Sequence, residues 1–256
     1  MGIKLKSPED IERLAEGGAI LARILDELEE RAVVGAIPQE LDQLAQQRIK
    51  EAGCTPAFLN YAPGNHEPFP AALCLSVNAG IVHGLPGDTP LADGDLVGLD
   101  LGLVYQDAYY LDSARSKVVG TGSPETNELI AVTKKSLELG IGQAVPGSTT
   151  GDIGHAVQQY VEGEGFSVIT QLVGHGVGFE VHEPPQVPNY GRPGTGDTLE
   201  EGLVIAIEPM VTTGDPAVTT GDDGWTVAVA SGAVGAHQEH TVAVTAAGPR
   251  ILTQSK

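Results

Sequence analysis

LVGLDLGLVYQDAYYLDS, residues 96–113, decides how the rest of the chain is read. Apolar residues dominate it, and a polar interruption at Gln106 and Asp107 divides it into two runs, the pattern of two β-strands folded back on each other. Each run carries one aspartate, Asp100 and Asp112. A carboxylate among Leu, Val and Tyr is costly to bury without a partner, and two brought close repel until one takes up a proton. A multivalent cation removes both difficulties. Strands centred on Gln106 would put Asp100 opposite Asp112, with both side chains on one face. The turn over 105–108 has no glycine, and Asp107 is its residue best suited to a left-handed conformation. The hairpin is expected to be half of a metal site.

The surroundings fit a soluble enzyme. Lys and Arg total 14 against 34 Asp and Glu, a formal charge of −20. Such a surface repels phosphate backbones, so no direct nucleic-acid binding is expected, whereas a cationic group such as a peptide α-amine would be welcome. Over 256 residues, a hydrophobic fraction of 41% suffices for a real core. Cys54 and Cys74 are too few for a disulfide scaffold or a Cys-rich zinc site. No window approaches the roughly 18 apolar residues of a membrane span, and MGIKLKSPED lacks the apolar core of a signal peptide. A cytoplasmic protein with no membrane association is expected.

Outward from the hairpin, the chain reads as alternating helices and strands. Ser7-Pro8-Glu9-Asp10 starts a helix with a serine cap, a proline at the first position and acids at the positive dipole end. A second helix spans 38–52 and is ended by Gly53; a Pro-, Gly- and Asn-rich loop over 55–70 precedes a strand over 72–77. Ser123-Pro124-Glu125 opens a third helix to about Leu139, and a fourth begins near Thr150, followed by strands over 166–173 and 203–207. The offset from Ser7 to Ser123 is 116 residues and from Pro38 to Thr150 is 112. A repeat this long suggests a duplicated half-domain rather than a solenoid. The expectation is one α/β (α+β) domain over 1–256, with related halves at about 7–120 and 121–250 meeting along a central seam.

Three further stretches can complete a site. His175 stands between Gly174 and Gly176, where bare backbone lets a ligand approach closely, and His182 follows before Glu183-Pro184-Pro185. Glu208 ends an apolar strand that Pro209 stops. Glu239 begins another β-rich run. Salt bridges are the bland alternative for these acids, but the chain has few cations to form them. Two aspartates, two glutamates and one histidine make an oxygen-rich set that suits a pair of divalent ions better than tetrahedral zinc. Paired ions activate water and polarise a scissile carbonyl, and His83 and His182 remain for proton handling or transition-state stabilisation. The residues alone lead to a dinuclear hydrolase.

In order, the motifs resemble those of the type I methionine aminopeptidases: SVNAGIVHGLP (76–86), GDLVGLDLG (94–102), YYLDSA (109–114), GHGVGFEVHEPPQV (174–187), AIEPM (206–210), DGW (223–225) and QEHTV (238–242). The resemblance covers essentially the whole chain. It implies the pita-bread fold, two pseudo-symmetric halves with a central curved antiparallel sheet covered by helices. It also implies two divalent metal ions (Co, Mn, Fe or Zn) held by Asp100, Asp112, His175, Glu208 and Glu239, with Asp112 and Glu239 bridging. Glu208 would be the general base, His83 would lie near the scissile amide, and His182 would stabilise the developing oxyanion. The methionine pocket would be walled by Tyr61, Phe69, Cys74, His83, His182 and Trp225, a small apolar cup that suits a polarisable thioether. A monovalent cation near Asn78 and transient ribosome association are also implied, with a monomer acting on N-terminal Met peptides and nascent chains. The Asp100–Asp112 spacing is one residue longer than usual in that family, and the extra residue is expected in the turn at 106–108.

Two rivals remain. Aminopeptidase P and prolidase share these ligands but usually carry a sizeable domain before them, and here fewer than 100 residues precede Asp100. A non-catalytic pita-bread binding protein would be expected to have lost ligands, and all five stand here with both histidines.

Overall fold

The computed structural model describes residues 2–64 and 67–255. Helices α1 (Pro8–Arg31) and α2 (Pro38–Glu51) lead into β1 (Thr55–Pro56), β2 (Leu73–Val77), β3 (Gly80–Val82) and the hairpin β4 (Leu96–Tyr105) and β5 (Tyr109–Val118). Then come α3 (Pro124–Gly142), α4 (Thr150–Gly163), β6 (Ser167–Val168), β7 (Val173–Gly176), β8 (Glu183–Pro188), β9 (Val204–Ile207) and β10 (Met210–Thr212). Strands β11 (Val218–Thr220), β12 (Val227–Val229), β13 (Gly235–His237), β14 (His240–Thr245) and β15 (Gly248–Ile251) complete the chain.

The helix starts follow the capping chemistry. Ser7 Oγ accepts the Asp10 N–H at 3.2 Å while Asp10 Oδ2 accepts the Ser7 N–H at 2.9 Å, a reciprocal box that satisfies two end groups. Thr149 and Asp152 do the same at α4, and Ser123 caps α3. Helix α3 runs to Gly142, a turn beyond its expected end.

In β4 the period of two separates core from site. Val97, Leu99, Leu101 and Leu103 join Leu14, Leu21 and Leu25 of α1 in one apolar cluster. The even-numbered residues face the other way, with Asp100 between Gly98 and Gly102. A Cβ at Gly102 would lie 2.7 Å from the Phe58 ring, so the glycine makes room for that side chain.

The hairpin register differs from the expected one. Tyr105 pairs with Tyr109, Asp100 with Ala114 and Gly102 with Asp112, so the centre is Asp107 rather than Gln106. The cause is a three-residue loop in which Gln106 (φ 52°) and Asp107 (φ 56°) both adopt the left-handed conformation. Asp100 and Asp112 are therefore diagonal rather than direct neighbours, and still share a face. The loop at 106–108 absorbs the long spacing without turning either aspartate.

Among the described residues all strand pairings are antiparallel, and the backbone ladders divide into four sheets. The expected strand over 166–173 is broken: β6 pairs with β10, whereas β7 pairs with β8 and β9. An apolar run reports burial and not which neighbour its backbone will bond, so the crossing from one sheet to the next was invisible. The expected loop over 55–70 contains the short strand β1 against β4; its residues 65 and 66 lie outside the described residues.

Between β5 and β14 hydroxyls replace most of the ladder. Thr241 Oγ1 donates to Asp112 O at 2.7 Å and accepts the Asp112 N–H at 3.1 Å. Ser113 Oγ donates to Glu239 O and Ser116 Oγ to His237 O, each at 2.8 Å. One backbone bond, Glu239 N to Ala114 O at 2.9 Å, lies among them. This seam brings Asp112 and Glu239 together.

Candidate metal centre

Asp100 and Asp112 arrive from the hairpin, and Glu239 crosses the seam beside them. His175 arrives from β7 and Glu208 from the end of β9. His175 Nδ1 lies 2.9 Å from Gly176 O; donation of an Nδ1 hydrogen there leaves the Nε2 lone pair facing the acids. His175 Nε2 lies 3.4 Å from Glu208 Oε1 and 3.9 Å from Asp112 Oδ2. Donor atoms of Asp112, His175 and Glu239 all lie within 4.8 Å of one another. Asn189 Nδ2 donates to Glu208 O at 3.0 Å and fixes the backbone that carries this glutamate.

The glycines around His175 also make room for its neighbouring strands. A Cβ at Gly174 would sit 2.4 Å from Ala206 O, and one at Gly176 would sit 2.3 Å from Pro184 O. Only bare backbone lets β7 lie this close to β9 and to the start of β8.

Electrostatically the cluster is unfinished. Asp100 Oδ1, Asp112 Oδ1, Glu239 Oε1 and His237 Nε2 are buried with no hydrogen-bond partner in the protein, a condition that calls for a bound ion or water. Burial, with Glu208 nearby, pushes Asp100 up to about 6, and burial pushes Glu208 up to about 7. Asp112 and Glu239 rise well above the usual carboxylate range, from burial first and then the neighbouring acids. Among the described residues no lysine or arginine ion pair reaches any of the five; of basic groups, Asp112 and Glu208 have only histidine nitrogens within 4 Å. Four hard oxygen donors and one imidazole, short of positive charge, fit divalent cations.

The cluster floors a cavity of about 550 Å³ on which all eleven anticipated side chains open. Cys74 sits opposite Asp100 across the β2–β4 pair, and its thiol is pushed well up by burial. Phe69 meets Trp225 edge to face at 5.1 Å, and His83 meets the same indole at 6.4 Å. Trp225 is presented by a turn in which Asp223 Oδ1 accepts the Trp225 and Thr226 N–H groups. Tyr61 Oη lies 2.8 Å from His182 Nδ1, and the His182 ring lies 4.3 Å from that of His175. Burial, reinforced by His237, lowers His83 to about 4, so it is neutral at pH 7. His83 also holds a left-handed backbone (φ 56°), rare for such a side chain.

Phe58, Val82, Leu172 and Met210 also line the cavity and were not anticipated. Nor was His237, whose Nε2 lies 3.6 Å from Glu208 Oε2. Its place two residues before Glu239 in the chain was the available signal. Asn78 is engaged: its Oδ1 accepts the Leu96 N–H and its Nδ2 donates to Asp95 Oδ1.

Residues 12–246 match the model of metallopeptidase family M24. The chain belongs to that family. As a metallopeptidase it uses divalent metal. The chain is 45% identical to the methionine aminopeptidase of Clostridium perfringens, over 99% of this chain and 100% of the other. The crystal structure of the Thermotoga maritima methionine aminopeptidase superposes with a TM-score of 0.95 at 41% identity, covering 99% of this chain and 100% of that one. The prolidase of Pyrococcus horikoshii is more distant: TM-score 0.78 and 25% identity, with 98% of this chain matched to 64% of the other. No described helix is long and apolar enough to cross a membrane.

Proposed function

We propose that this M24 metallopeptidase removes the N-terminal methionine from peptides and nascent chains in the cytoplasm. The observation that carries the reading is the convergence of Asp100, Asp112, His175, Glu208 and Glu239, with orphaned buried oxygens, at the floor of a cavity walled by Phe69, Cys74 and Trp225. In this reading those five side chains hold two divalent ions, Co, Mn, Fe or Zn, and a monovalent cation binds near Asn78. When bound, the divalent ions supply an activated water and a polarised scissile carbonyl.

The chain's own residues do the rest. Glu208 takes the proton that the attacking water gives up and passes it to the leaving amine. His182, held by Tyr61, donates a hydrogen bond to the developing oxyanion, and His83 does the same near the scissile amide. Phe69, Trp225 and Cys74 enclose the methionine side chain, whose sulfur packs well against ring edges. The acidic surface favours the substrate's α-ammonium group. The same reading treats 1–256 as one catalytic domain with duplicated halves, 7–120 and 121–250, active as a monomer.

Release of methionine from a Met-Ala peptide, compared with cleavage of an Xaa-Pro peptide, tests the substrate. Preference for Xaa-Pro would favour the prolidase-like reading. Calorimetric titration of metal-free protein with Mn²⁺ should show two ions per chain, and no binding would leave a non-catalytic partner-binding protein. Glu208→Gln should keep the fold and lower turnover by at least 100-fold; wild-type turnover would mean that another group is the base.

A further inference from the structure

Next to His182 lies a buried charge pair, whose glutamate lines the same cavity and faces Gly176 in the β7–β8 ladder. Lys6 Nζ stands 2.6 Å from Glu183 Oε2, with side chains 0% and 1% exposed. Lysine and glutamate are almost never buried this deeply unless paired, so the place of the pair is informative. Glu183 directly follows His182 and begins β8. Its other oxygen, Oε1, accepts the N–H groups of Phe179 at 2.5 Å and Glu180 at 2.8 Å. One carboxylate thus ties both ends of the 179–183 loop on which His182 is carried.

The lysine is held as firmly from its own side. Lys6 N–H donates to Gly202 O at 2.7 Å, and Nζ donates to Lys4 O at 3.0 Å. Nζ also lies 5.1 Å from the centre of the Phe179 ring. A Cβ at Gly178 would lie 2.5 Å from Lys6 Cε, so the loop closes directly over the lysine stem. The outer pair Lys4–Glu180, 2.6 Å apart but about half exposed, adds little.

We infer that the Lys6–Glu183 pair is a positioning device: the segment before α1 reaches under the 179–183 loop and sets where the His182 imidazole stands against substrate. This rests on the proposed role of His182. Without Lys6, Glu183 is an unpaired buried charge, and relief draws it away from the Phe179 and Glu180 amides. That change slackens the loop. Removing both charges is milder, because a glutamine oxygen at position 183 still accepts those two N–H groups.

The test compares Lys6→Met with Lys6→Met/Glu183→Gln in the Mn²⁺-loaded enzyme on a Met-Ala peptide. Lys6→Met should lower kcat at least 10-fold with KM and calorimetric Mn²⁺ affinity unchanged, since His182 acts only in the transition state. The double variant should recover most of that loss. A lowered melting temperature with unchanged kcat would overturn the inference, as would a double variant no better than the single one. Should Lys6→Met fail to fold, hydrogen exchange on the wild-type chain decides. The Phe179 and Glu180 amides should exchange at least 100-fold slower than free peptide, and exchange at free-peptide rates would overturn the tether. A wild-type enzyme that does not cleave the peptide would defeat the functional reading instead, and exchange alone would then judge the tether.

Discussion

Thr241→Val tests whether the hydroxyl seam builds the metal centre. Thr241 is fully buried, and its Oγ1 serves both the N–H and the C=O of Asp112. Valine has nearly the same shape, so no cavity opens and the loss isolates the hydrogen bonds. Two backbone groups are left buried without partners, each costing about 1–3 kcal/mol. Allowing for partial relaxation, we expect a destabilisation of about 2–4 kcal/mol, a large share of the ~5–15 kcal/mol that holds a typical domain together. Urea denaturation of the metal-free protein should show the midpoint falling by about 1 M, for a denaturant slope of about 3 kcal/mol per molar. Asp112 would also lose its fixed backbone, so Mn²⁺ affinity measured by calorimetry should drop about 10- to 100-fold, as for other outer-shell losses. Thr241→Ser keeps the oxygen and should restore most of both. A Thr241→Val protein within about 0.5 kcal/mol of wild type, binding Mn²⁺ normally, would refute the reasoning.

Three other outcomes are expected. Gly174→Ala should destabilise by about 3 kcal/mol and abolish Mn²⁺ binding, because the new Cβ meets the Ala206 carbonyl; Gly142→Ala, with open space around it, is the thermal-melting control and should be neutral or better. Replacing Gln106-Asp107-Ala108 by Asn-Gly should keep the Tyr105–Tyr109 pairing, raise stability by about 1 kcal/mol and leave Mn²⁺ affinity unchanged; lost affinity would indicate a slipped register. Burial, with Arg115 and Lys134 nearby, lowers His240 to about 4, so the native state resists a proton that the unfolded chain accepts near its ordinary pKa of about 6.5. Its contribution is therefore complete above about pH 6.5 and lost as pH falls toward 4, up to about 3 kcal/mol. Between pH 7 and 4.5 wild type should lose about 2 kcal/mol more stability to urea than His240→Gln, and parallel losses would contradict this.

What was legible from residues alone was whatever is written locally. The Ser7–Asp10 and Ser123 caps announced their helices, and the two runs on either side of Gln106 announced a hairpin with Asp100 and Asp112 on one face. The hairpin centre was misplaced by one because the turn is chosen by which residues accept a left-handed backbone. Both Gln106 and Asp107 do so, and only the second advertised it. The 166–173 run was read as one strand because apolar content carries no information about hydrogen-bond partners. The Lys6–Glu183 pair had no local sign, since its members are 177 residues apart in the chain. The glycines beside His175 stood out in the sequence, but the close approach of the Ala206 and Pro184 carbonyls that also requires them did not.

The five acid and imidazole donors stand on or beside strands bonded to neighbours, whereas Tyr61, Phe69 and Trp225 hang from connecting segments. In the proposed reading, reactivity therefore rests on laddered strands and selectivity on the segments between them. Substitutions in the connecting segments should then retune which first residue is accepted while the ligand set is kept. In a lineage of such enzymes, side-chain preference should drift faster than dependence on metal.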